Sequence, residues 1–330
     1  MASIDTTSES ARRPFEGRRV HLGDVVLQGV AGAAAAGATA LVLLIAWKVV
    51  DGARPSISKF GISFVWHDVW NPVVGREAYG AASFLFGTAI TSFIALLLAA
   101  PLAIGIALFL TELAPRVLRG PVTSLVETLA AIPSVVVGLW GILVLGPALR
   151  SHVEPWLHSA LGWIPLFGPP SSAGASIFTA IVVLTIMILP IVSSISRELF
   201  LGVPAELKEG ALALGTTRWE MVRGVVFPYA RGGIAAALIL GLGRAMGEAI
   251  AVTQVIGGGT TISWNLFNQG DTLASKIAAE YQGATSNLDV ASLIYLGLIL
   301  LVLSLGANIA AQWIVRGVAR RHGVTRGGRA

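Results

Sequence analysis

"EGALALGTTRWEMVRGVVFP", residues Glu209–Pro228, is the stretch that decides between a nucleotide-binding α/β fold and an all-helical one. Gly210 and Gly215 stand five residues apart and threonines follow, which is the outline of a phosphate-binding loop. Thr216, however, stands where that loop needs its lysine, and no buried strand precedes the stretch. Because no other segment resembles a strand of a parallel sheet, we predict no ATP site in this chain.

The same stretch and the residues just before it carry the signals of two short helices. Pro204 precedes Glu206 and Glu209, and acidic residues in a first helical turn are favoured by the helix dipole. Gly215 ends or turns this helix, and a second amphipathic piece follows before Pro228. We therefore predict a pair of short helices that offers an apolar face to a partner.

The composition is that of a membrane protein. The chain has 330 residues, of which 55% are hydrophobic and 12% charged, and its mean hydropathy is +0.77, which is too apolar for a soluble domain of this length. It contains no cysteine, which excludes disulfides, thiolate nucleophiles and cysteine-ligated metals. The pI near 10.0 is explained by membrane topology rather than by nucleic-acid binding.

Six apolar stretches are long enough to cross about 30 Å of hydrocarbon as helices. They lie at residues 25–47, 83–111, 121–148, 176–196, 231–256 and 288–313. The first follows a basic arm but is too long for a cleavable signal peptide, so we predict a retained helix. The predicted organisation is all-α: a basic arm (1–24), a first membrane helix (25–47), an outer loop (48–82), a membrane core (83–313) with a long loop at 197–230, and a basic tail (314–330).

The distribution of lysine and arginine predicts the orientation. Sixteen of these residues lie in the N-terminal arm, the tail and the loops after the second and fourth spans, and six lie in the alternate loops. Arg244 is the one left over, inside the fifth span. The positive-inside rule therefore places both termini in the cytoplasm.

Sequence motifs for catalysis or metal binding are missing. The five histidines are scattered over loops and tails without a second ligand at helical spacing, so we predict no metal site. "GLGRAMG", Gly241–Gly247, has the wrong spacing for a dinucleotide fingerprint and follows no strand. Gly243 and Gly247 instead form a G-x-x-x-G pattern, which predicts the close approach of a neighbouring helix.

The loop at 197–230 resembles the coupling loop of ABC importer permeases. Their signature of E-A-A, three residues, G, nine residues and I-x-L-P is matched by Glu209, Ala211, Gly215, Val225, Phe227 and Pro228. Gly210 departs from the first alanine of the signature. The resemblance implies the type I importer permease fold, and it implies that this coupling loop (residues 197–230) sits in a groove of a separate ATPase subunit.

Residues 60 to 315 further resemble the PstC family of phosphate-importer permeases. The segments that carry the likeness are "GISFVWHDVWNP", "AAIPSVVVGLWG" and "GLGRAMGEAIAVTQVIGG". The PstA family is similar across the coupling loop. The sequence of the fifth span, the "WNP" of the first loop and the C-terminal "QWIVRG" favour the PstC family instead. The resemblance implies a non-catalytic subunit without cofactors in a bacterial plasma membrane. Its implied partners are a PstA-like permease, two PstB-like ATPase subunits, a PstS-like phosphate-binding protein and inorganic phosphate.

Arg244 and Glu248 are the candidate substrate-path residues. Measured from Arg231 at about 1.5 Å per residue, they lie roughly 20 Å and 26 Å along the fifth span, where an unpaired charge costs about 3 kcal/mol or more. Their i, i+4 spacing places them on one helix face, so we predict that they pair. Our hypothesis is that Arg244 donates to phosphate oxygens, while Glu248 holds Arg244 when the path is empty and accepts a hydrogen bond from a phosphate hydroxyl. Thr253 and Gln254 are predicted as further polar lining.

Several alternatives stay open from the sequence. The Arg244–Glu248 pair can instead merely neutralise itself against a neighbouring helix. Sulfate and molybdate would also bind an arginine, and a secondary transporter or channel, or a non-transporting sensor, would fit the six spans. The tryptophans of the outer loops fit an interfacial aromatic belt as well as partner docking. Glu127, near one end of the third span, is predicted to be solvated at the cytoplasmic surface.

Overall fold

The fold is a bundle of membrane-length helices. The computed structural model describes the backbone of residues 22–170 and 174–321, and the side chains of 23–170 and 174–313. In these ranges, six helical segments are long and apolar enough to cross a membrane: Gly23–Val65, Ala82–Leu113, Ser134–Leu161, Ile177–Leu201, Arg218–Gly247 and Asn287–Trp313. The predicted all-α fold with six membrane helices is confirmed.

The elements in chain order are α1 Leu22–Phe60, β1 Trp70–Asn71, β2 Ala78–Tyr79, α2 Ala82–Leu108, α3 Arg116–Ala131, α4 Ser134–Trp140, α5 Gly146–Ala148, α6 Glu154–Leu161, α7 Ile177–Leu201, α8 Ala205–Ala213, α9 Arg218–Met221, α10 Phe227–Gly247, α11 Ile250–Val255, α12 Leu273–Glu280 and α13 Asn287–Arg321. Wider π-helical turns occupy Phe109–Leu113, Gly141–Leu145, Leu149–Val153 and Val222–Val226. Tighter 3-10 turns occupy Gly61–Val65, Pro165–Phe167 and Tyr281–Gly283.

The chain divides into two units, Met1–Lys48 and Val49–Ala330. In the first, the described side chains of 23–48 are apolar for the most part and nearly all exposed, as suits a helix surrounded by lipid. The helix itself does not stop at residue 47 as predicted, because α1 continues through Pro55 to Phe60. The predicted arm (1–24) and tail (314–330) lie largely outside the described residues.

The third predicted span, 121–148, was wrong in its boundaries. Ile132 adopts an extended backbone conformation (ψ 125°) and Pro133 caps the next helix, because a residue before proline is pushed out of the helical region. The apolar run is thereby cut into α3 and a longer segment, Ser134–Leu161, that has the length of a membrane helix. Glu127 belongs to α3 and is exposed.

The fifth predicted span, 231–256, was also wrong at both ends. The helical segment begins earlier, at Arg218, and ends at Gly247. Glu248 leaves the helix with an extended conformation (φ −72°, ψ 116°), and the six-residue α11 follows. Such a break at membrane depth is tolerated where neighbouring protein surrounds it.

The second unit packs around α2 and α7, the most extensively paired helices of the bundle. A central apolar cluster joins these two helices to α10 and α11, with Ile181, Leu184 and Ile188 of α7 almost fully buried. A second cluster lies beside α12 and α13 and includes Phe64, Tyr79 and Phe84. A third cluster surrounds Phe200 at the end of α7 and joins the coupling loop to α2 and α10.

The loop between α1 and α2 folds into a short antiparallel hairpin. Trp70 pairs with Tyr79 and Asn71 with Ala78. Trp70 packs edge-on against Phe84 at 5.4 Å between ring centroids, whereas Trp66 remains exposed. The two tryptophans of this loop therefore differ: Trp70 packs inside the second unit, and Trp66 is available to lipid or to a partner.

Candidate functional site: an interrupted helix and the coupling loop

The candidate substrate site lies at the break between α10 and α11. Arg244 stands in the last turn of α10, where the helix dipole favours a cation, and Glu248 stands at the break itself. Arg244 Nη2 lies 3.3 Å from Glu248 Oε2, so the predicted pairing is confirmed. Glu248 Oε1 also accepts a hydrogen bond of 3.4 Å from the Ala251 N–H, which ties the carboxylate to the first turn of α11.

The two members of the pair differ in exposure. The Glu248 side chain is 7% exposed and that of Arg244 is 48% exposed. The carboxylate is therefore enclosed by protein, while the guanidinium reaches open space. Since a guanidinium has five N–H donors and Glu248 is approached by Nη2, Arg244 can pair with Glu248 and still donate to an anion.

Arg244 lies between two cavities. The larger, of about 870 Å³, is lined by α7, α10 and α13 and is mostly apolar, with polar groups from Asn308 and Gln312. The smaller, of about 190 Å³, lies where α3, α4 and α7 meet. Arg244 and Ile191 line both cavities, and of the described residues that line either one, Arg244 is the only charged side chain.

The predicted contribution of Thr253 and Gln254 has less support. The Thr253 hydroxyl donates to the Ala249 carbonyl at 2.7 Å and to the Ser275 carbonyl at 3.3 Å. Gln254 packs against Gly138 of α4, where an added Cβ would come within 3.1 Å of its amide carbon. Neither residue lines the two cavities beside Arg244, so their role in the path stays a prediction.

The close approach predicted at Gly243 and Gly247 is not made by any helix within the described residues. A Cβ at Gly247 would have no neighbour within 4 Å among the described residues, and one at Gly243 would meet only Asn308 Oδ1, at 3.9 Å. The tight contact occurs instead at Gly241, where a Cβ would lie 2.8 Å from Val192 Cγ2. Gly243 and Gly247 thus leave space beside Arg244 open.

The coupling loop contains the first of the two predicted short helices, α8. The second is not a separate short helix, because α9 runs on through the π-helical turn Val222–Val226 into α10 and does not end before Pro228. Pro204 caps α8, and Gly215 turns the chain with φ +82°, a conformation that L side chains rarely adopt. Thr217 then starts α9 with a capping box, in which its hydroxyl and the Glu220 side chain satisfy each other's backbone N–H groups. The local sequence therefore determines the helix–turn–helix formed by α8, the turn at Gly215 and α9, which is called the knob below.

The six residues that match the coupling signature divide into two groups. Glu209, Gly215 and Pro228 are exposed, beside exposed apolar side chains at Leu207, Leu212, Leu214 and Trp219. Val225 and Phe227 pack inward on the cluster around Phe200, with the two phenylalanine rings 5.9 Å apart and edge-on. Ala211 is half-buried between the two groups. Part of the signature thus anchors the knob and part of it presents a surface.

Residues 99–320 match the family described as "Binding-protein-dependent transport system inner membrane component". The chain belongs to this family. The inner membrane component is similar along its length to two curated proteins named "Phosphate transport system permease protein PstC". The one from Mesorhizobium japonicum is 43% identical, over 93% of this chain and 94% of its own. The one from Pasteurella multocida is 43% identical, over 84% of this chain and 86% of its own.

Solved structures of ABC transporters share the fold of this chain. It aligns with TM-score 0.60 and 17% identity to a chain of a bacterial alginate ABC transporter in complex with alginate pentasaccharide-bound periplasmic protein, over 90% of this chain and 97% of that one. It aligns with TM-score 0.51 and 20% identity to a chain of the inward-facing MetNI methionine ABC transporter, over 70% of this chain and 93% of that one. The predicted ABC importer permease fold is thereby confirmed.

Sequence reasoning missed a partly buried ion pair at the base of the coupling loop. Glu112, at the end of the π-helical turn after α2, lies 2.6 Å from the Nζ of Lys208 on α8. The only sequence signal was an acidic residue directly after an apolar span, and nothing local connects it to a lysine 96 residues away.

A second buried group lies beside the hairpin and was also missed. Lys276 of α12 pairs with Glu280 and lies 5.3 Å from the ring centroids of both Trp70 and Phe84. Trp70 Nε1 donates to the same carboxylate at 2.7 Å. Close by, burial raises the pKa of Asp271 to about 6, although hydrogen bonds from Ser275 and Thr272 and the charge of Lys276 act to lower it. These contacts hold α12 in place.

Proposed function

We propose that this chain is a transmembrane permease subunit of an ATP-driven, binding-protein-dependent importer of inorganic phosphate, and that it forms half of the translocation path. The observation that carries phosphate as the substrate is the 43% identity to a phosphate transport permease over 93% of the chain. Because that likeness spans the whole membrane core, it includes the interrupted helix and the coupling loop together.

Arg244 is the proposed anion contact. Its planar, permanently charged guanidinium matches phosphate oxygens in geometry and charge, and it borders both cavities next to the broken helix. Discontinuous membrane helices are a recurrent way to build substrate sites in transporters. The pair with Glu248 would neutralise the arginine when no anion is present, which limits the cost of a charge at this depth.

Glu248 is proposed to favour phosphate over sulfate. Its enclosed carboxylate is an acceptor for a hydroxyl proton, and phosphate near neutral pH carries such a proton whereas sulfate does not. A site built to accept a hydrogen bond rejects an analogue that lacks the donor, because the buried acceptor is then left unpaired. Sulfate or molybdate transport is the alternative that this discrimination argues against.

The coupling loop is proposed to dock on a separate ATPase subunit. The exposed apolar residues of α8 and α9, turned by Gly215, form a compact knob whose surface is unpartnered among the described residues. Such a surface suits a groove in a partner protein. The charge distribution predicts a cytoplasmic coupling loop and cytoplasmic termini. We infer that the hairpin then faces a phosphate-binding protein outside and that a PstA-like permease completes the path.

The test is ATP hydrolysis by the purified complex of this chain with its partner subunits in lipid vesicles. We expect phosphate-loaded binding protein to stimulate ATP hydrolysis and phosphate uptake. Sulfate should stimulate hydrolysis at least about tenfold less, which is the discrimination that a specific hydrogen bond provides. Uptake that follows an ion gradient and survives ATP depletion would contradict the proposal. So would equal stimulation by sulfate.

The roles of the path residues have their own test. Arg244→Ala and Glu248→Gln complexes, with assembly confirmed by subunit stoichiometry, are compared for phosphate uptake. We expect Arg244→Ala to lose nearly all uptake and Glu248→Gln to narrow the difference between phosphate and sulfate. Unchanged uptake in both variants would rule out a substrate path at this pair.

A further inference from the structure

One residue at the end of α2 holds both short helices of the coupling loop. Glu112 Oε1 is 2.6 Å from Lys208 Nζ on α8, and the same Nζ donates to the Phe200 carbonyl at the end of α7, at 3.1 Å. Arg218 of α9 donates from Nη1 to the backbone carbonyl of Glu112, also at 3.1 Å. The coupling loop is therefore fixed to α2 through polar contacts on either side of its turn.

The Glu112–Lys208 ion pair is less exposed than the nearby Arg197–Glu198 pair. The side chains of Lys208 and Glu112 are 19% and 11% exposed, whereas those of Arg197 and Glu198 are 28% and 68% exposed. An enclosed pair is screened little by solvent and salt, so its geometry is held more firmly than that of a surface pair. These contacts would pass a displacement of α8 on to α2.

The other end of α2 touches the segment that positions α12. Thr88 Oγ1 accepts a hydrogen bond of 2.9 Å from the Leu273 N–H, at the start of α12. One residue earlier, Gly87 lies so close to the Asp271 carbonyl that an added Cβ would be 2.0 Å from its oxygen. From Gly87 to Glu112 the helix spans about 38 Å at 1.5 Å per residue, which exceeds the hydrocarbon thickness.

We propose that Glu112 and Lys208 form the joint that transmits movement of the coupling loop to α2, and that α2 carries it to the α12 segment at its far end. The inference rests on the proposed function, because it assigns the coupling loop to an ATPase. Glu112 and Lys208 are positioning residues: neither lines the cavities beside Arg244. Interfaces between packed helices switch between discrete arrangements, so a firm joint at one end can reposition the other.

The decisive variant is the double substitution Glu112→Gln/Lys208→Met. The single change Glu112→Gln leaves an enclosed lysine without its carboxylate and lowers stability for that reason alone. The double change removes both charges and leaves no uncompensated ion, so it separates a loss of transmission from a loss of folding. Lys208→Arg keeps the cation as the conservative variant, and Asp51→Asn is the matched control, because it removes the carboxylate of an exposed ion pair outside the coupling loop.

The measurement is the amount of phosphate transported per ATP hydrolysed by the full complex in lipid vesicles, beside its thermal unfolding and subunit stoichiometry. We expect the double variant to assemble and unfold as the unmodified complex does, yet to move at least about tenfold less phosphate per ATP, within the range of coupling between contacting residues. We expect Lys208→Arg to stay within about threefold of the unmodified ratio, and Asp51→Asn to leave it unchanged.

A normal ratio in the double variant would overturn the joint and leave the pair a purely structural contact. Failure of the double variant to assemble would overturn it as well, because the pair would then be required for folding. The unmodified complex in the same vesicles separates this outcome from a failure of the proposed function. If that complex takes up no phosphate, the function is wrong, whereas normal uptake with normal coupling in the double variant refutes only the joint.

Discussion

The unequal exposure of Arg244 and Glu248 predicts unequal consequences when either partner is removed. The carboxylate is enclosed and the guanidinium is half exposed. At 3.3 Å and an effective dielectric constant of about 20, the pair interacts by about 5 kcal/mol before solvent screening of the arginine is considered. Discounting that value for the exposed half of the arginine leaves about 3 kcal/mol, which agrees with the usual cost of an unpaired charge within a membrane.

Arg244→Ala should therefore lower the free energy of unfolding by about 3 kcal/mol, because it leaves the Glu248 carboxylate with a single weak donor from Ala251. Glu248→Gln should cost about 1 kcal/mol or less, since the remaining guanidinium lines the cavity of the proposed anion path, which water enters, instead of facing hydrocarbon, and the glutamine oxygen still accepts from Ala251. The double variant should recover about 2 kcal/mol of the loss seen in Arg244→Ala.

The assay is chemical or thermal unfolding of the purified complex in detergent micelles, read as a double-mutant cycle. Arg54→Ala is the matched control, because Arg54 pairs with Asp51 in an exposed i, i+3 contact and should change stability by no more than about 0.5 kcal/mol. Equal losses in the two single variants, or a double variant whose loss is the sum of both, would refute the reasoning from exposure.

Three further predictions follow from single positions. Gly87→Ala should destabilise the protein by about 3 kcal/mol or more, because its Cβ would meet the Asp271 carbonyl oxygen at 2.0 Å. Gly105→Ala on the same helix is the control: its Cβ would meet no neighbour, so the free energy of unfolding should stay the same or rise by up to about 1 kcal/mol. Similar melting temperatures for the two variants would contradict this prediction. Burial raises the pKa of Asp271 from 3.8 to about 6, so the unfolded state gives up this proton first and stability falls as pH rises from about 4 to about 6, by up to about 3 kcal/mol. Asp271→Asn should remove that fall, and a difference in melting temperature from the unmodified protein that stays constant between pH 4 and pH 7 would count against it. Gly215→Arg should leave the membrane helices inserted yet uncouple uptake from ATP hydrolysis, because it strains a φ of +82° and adds bulk to the knob. Gly215→Asn should retain more of the coupling, because asparagine tolerates positive φ. Normal coupled uptake in Gly215→Arg would exclude the knob as the ATPase contact.

Local patterns account for the parts of the site that could be predicted. The i, i+4 spacing of Arg244 and Glu248 was enough to predict their pairing, because the chain keeps the two side chains within reach although Glu248 is the first residue after the helix. The turn at Gly215 and the short helices beside it follow from capping residues within a few positions of each other. The sequence did not predict that the helix ends before Glu248, because no proline or glycine follows that residue directly.

The sequence by itself determined that the chain is a membrane protein with six spans, because the cost of placing backbone and side chains in hydrocarbon is read from composition along each segment. Only the tertiary structure decided where the apolar runs are interrupted and which charges are enclosed. Glu112 and Lys208 are 96 residues apart, and Trp70 and Glu280 are 210 apart. Such pairs depend on how α2, α7 and the loops pack, and packing between distant segments leaves no periodic trace in the sequence.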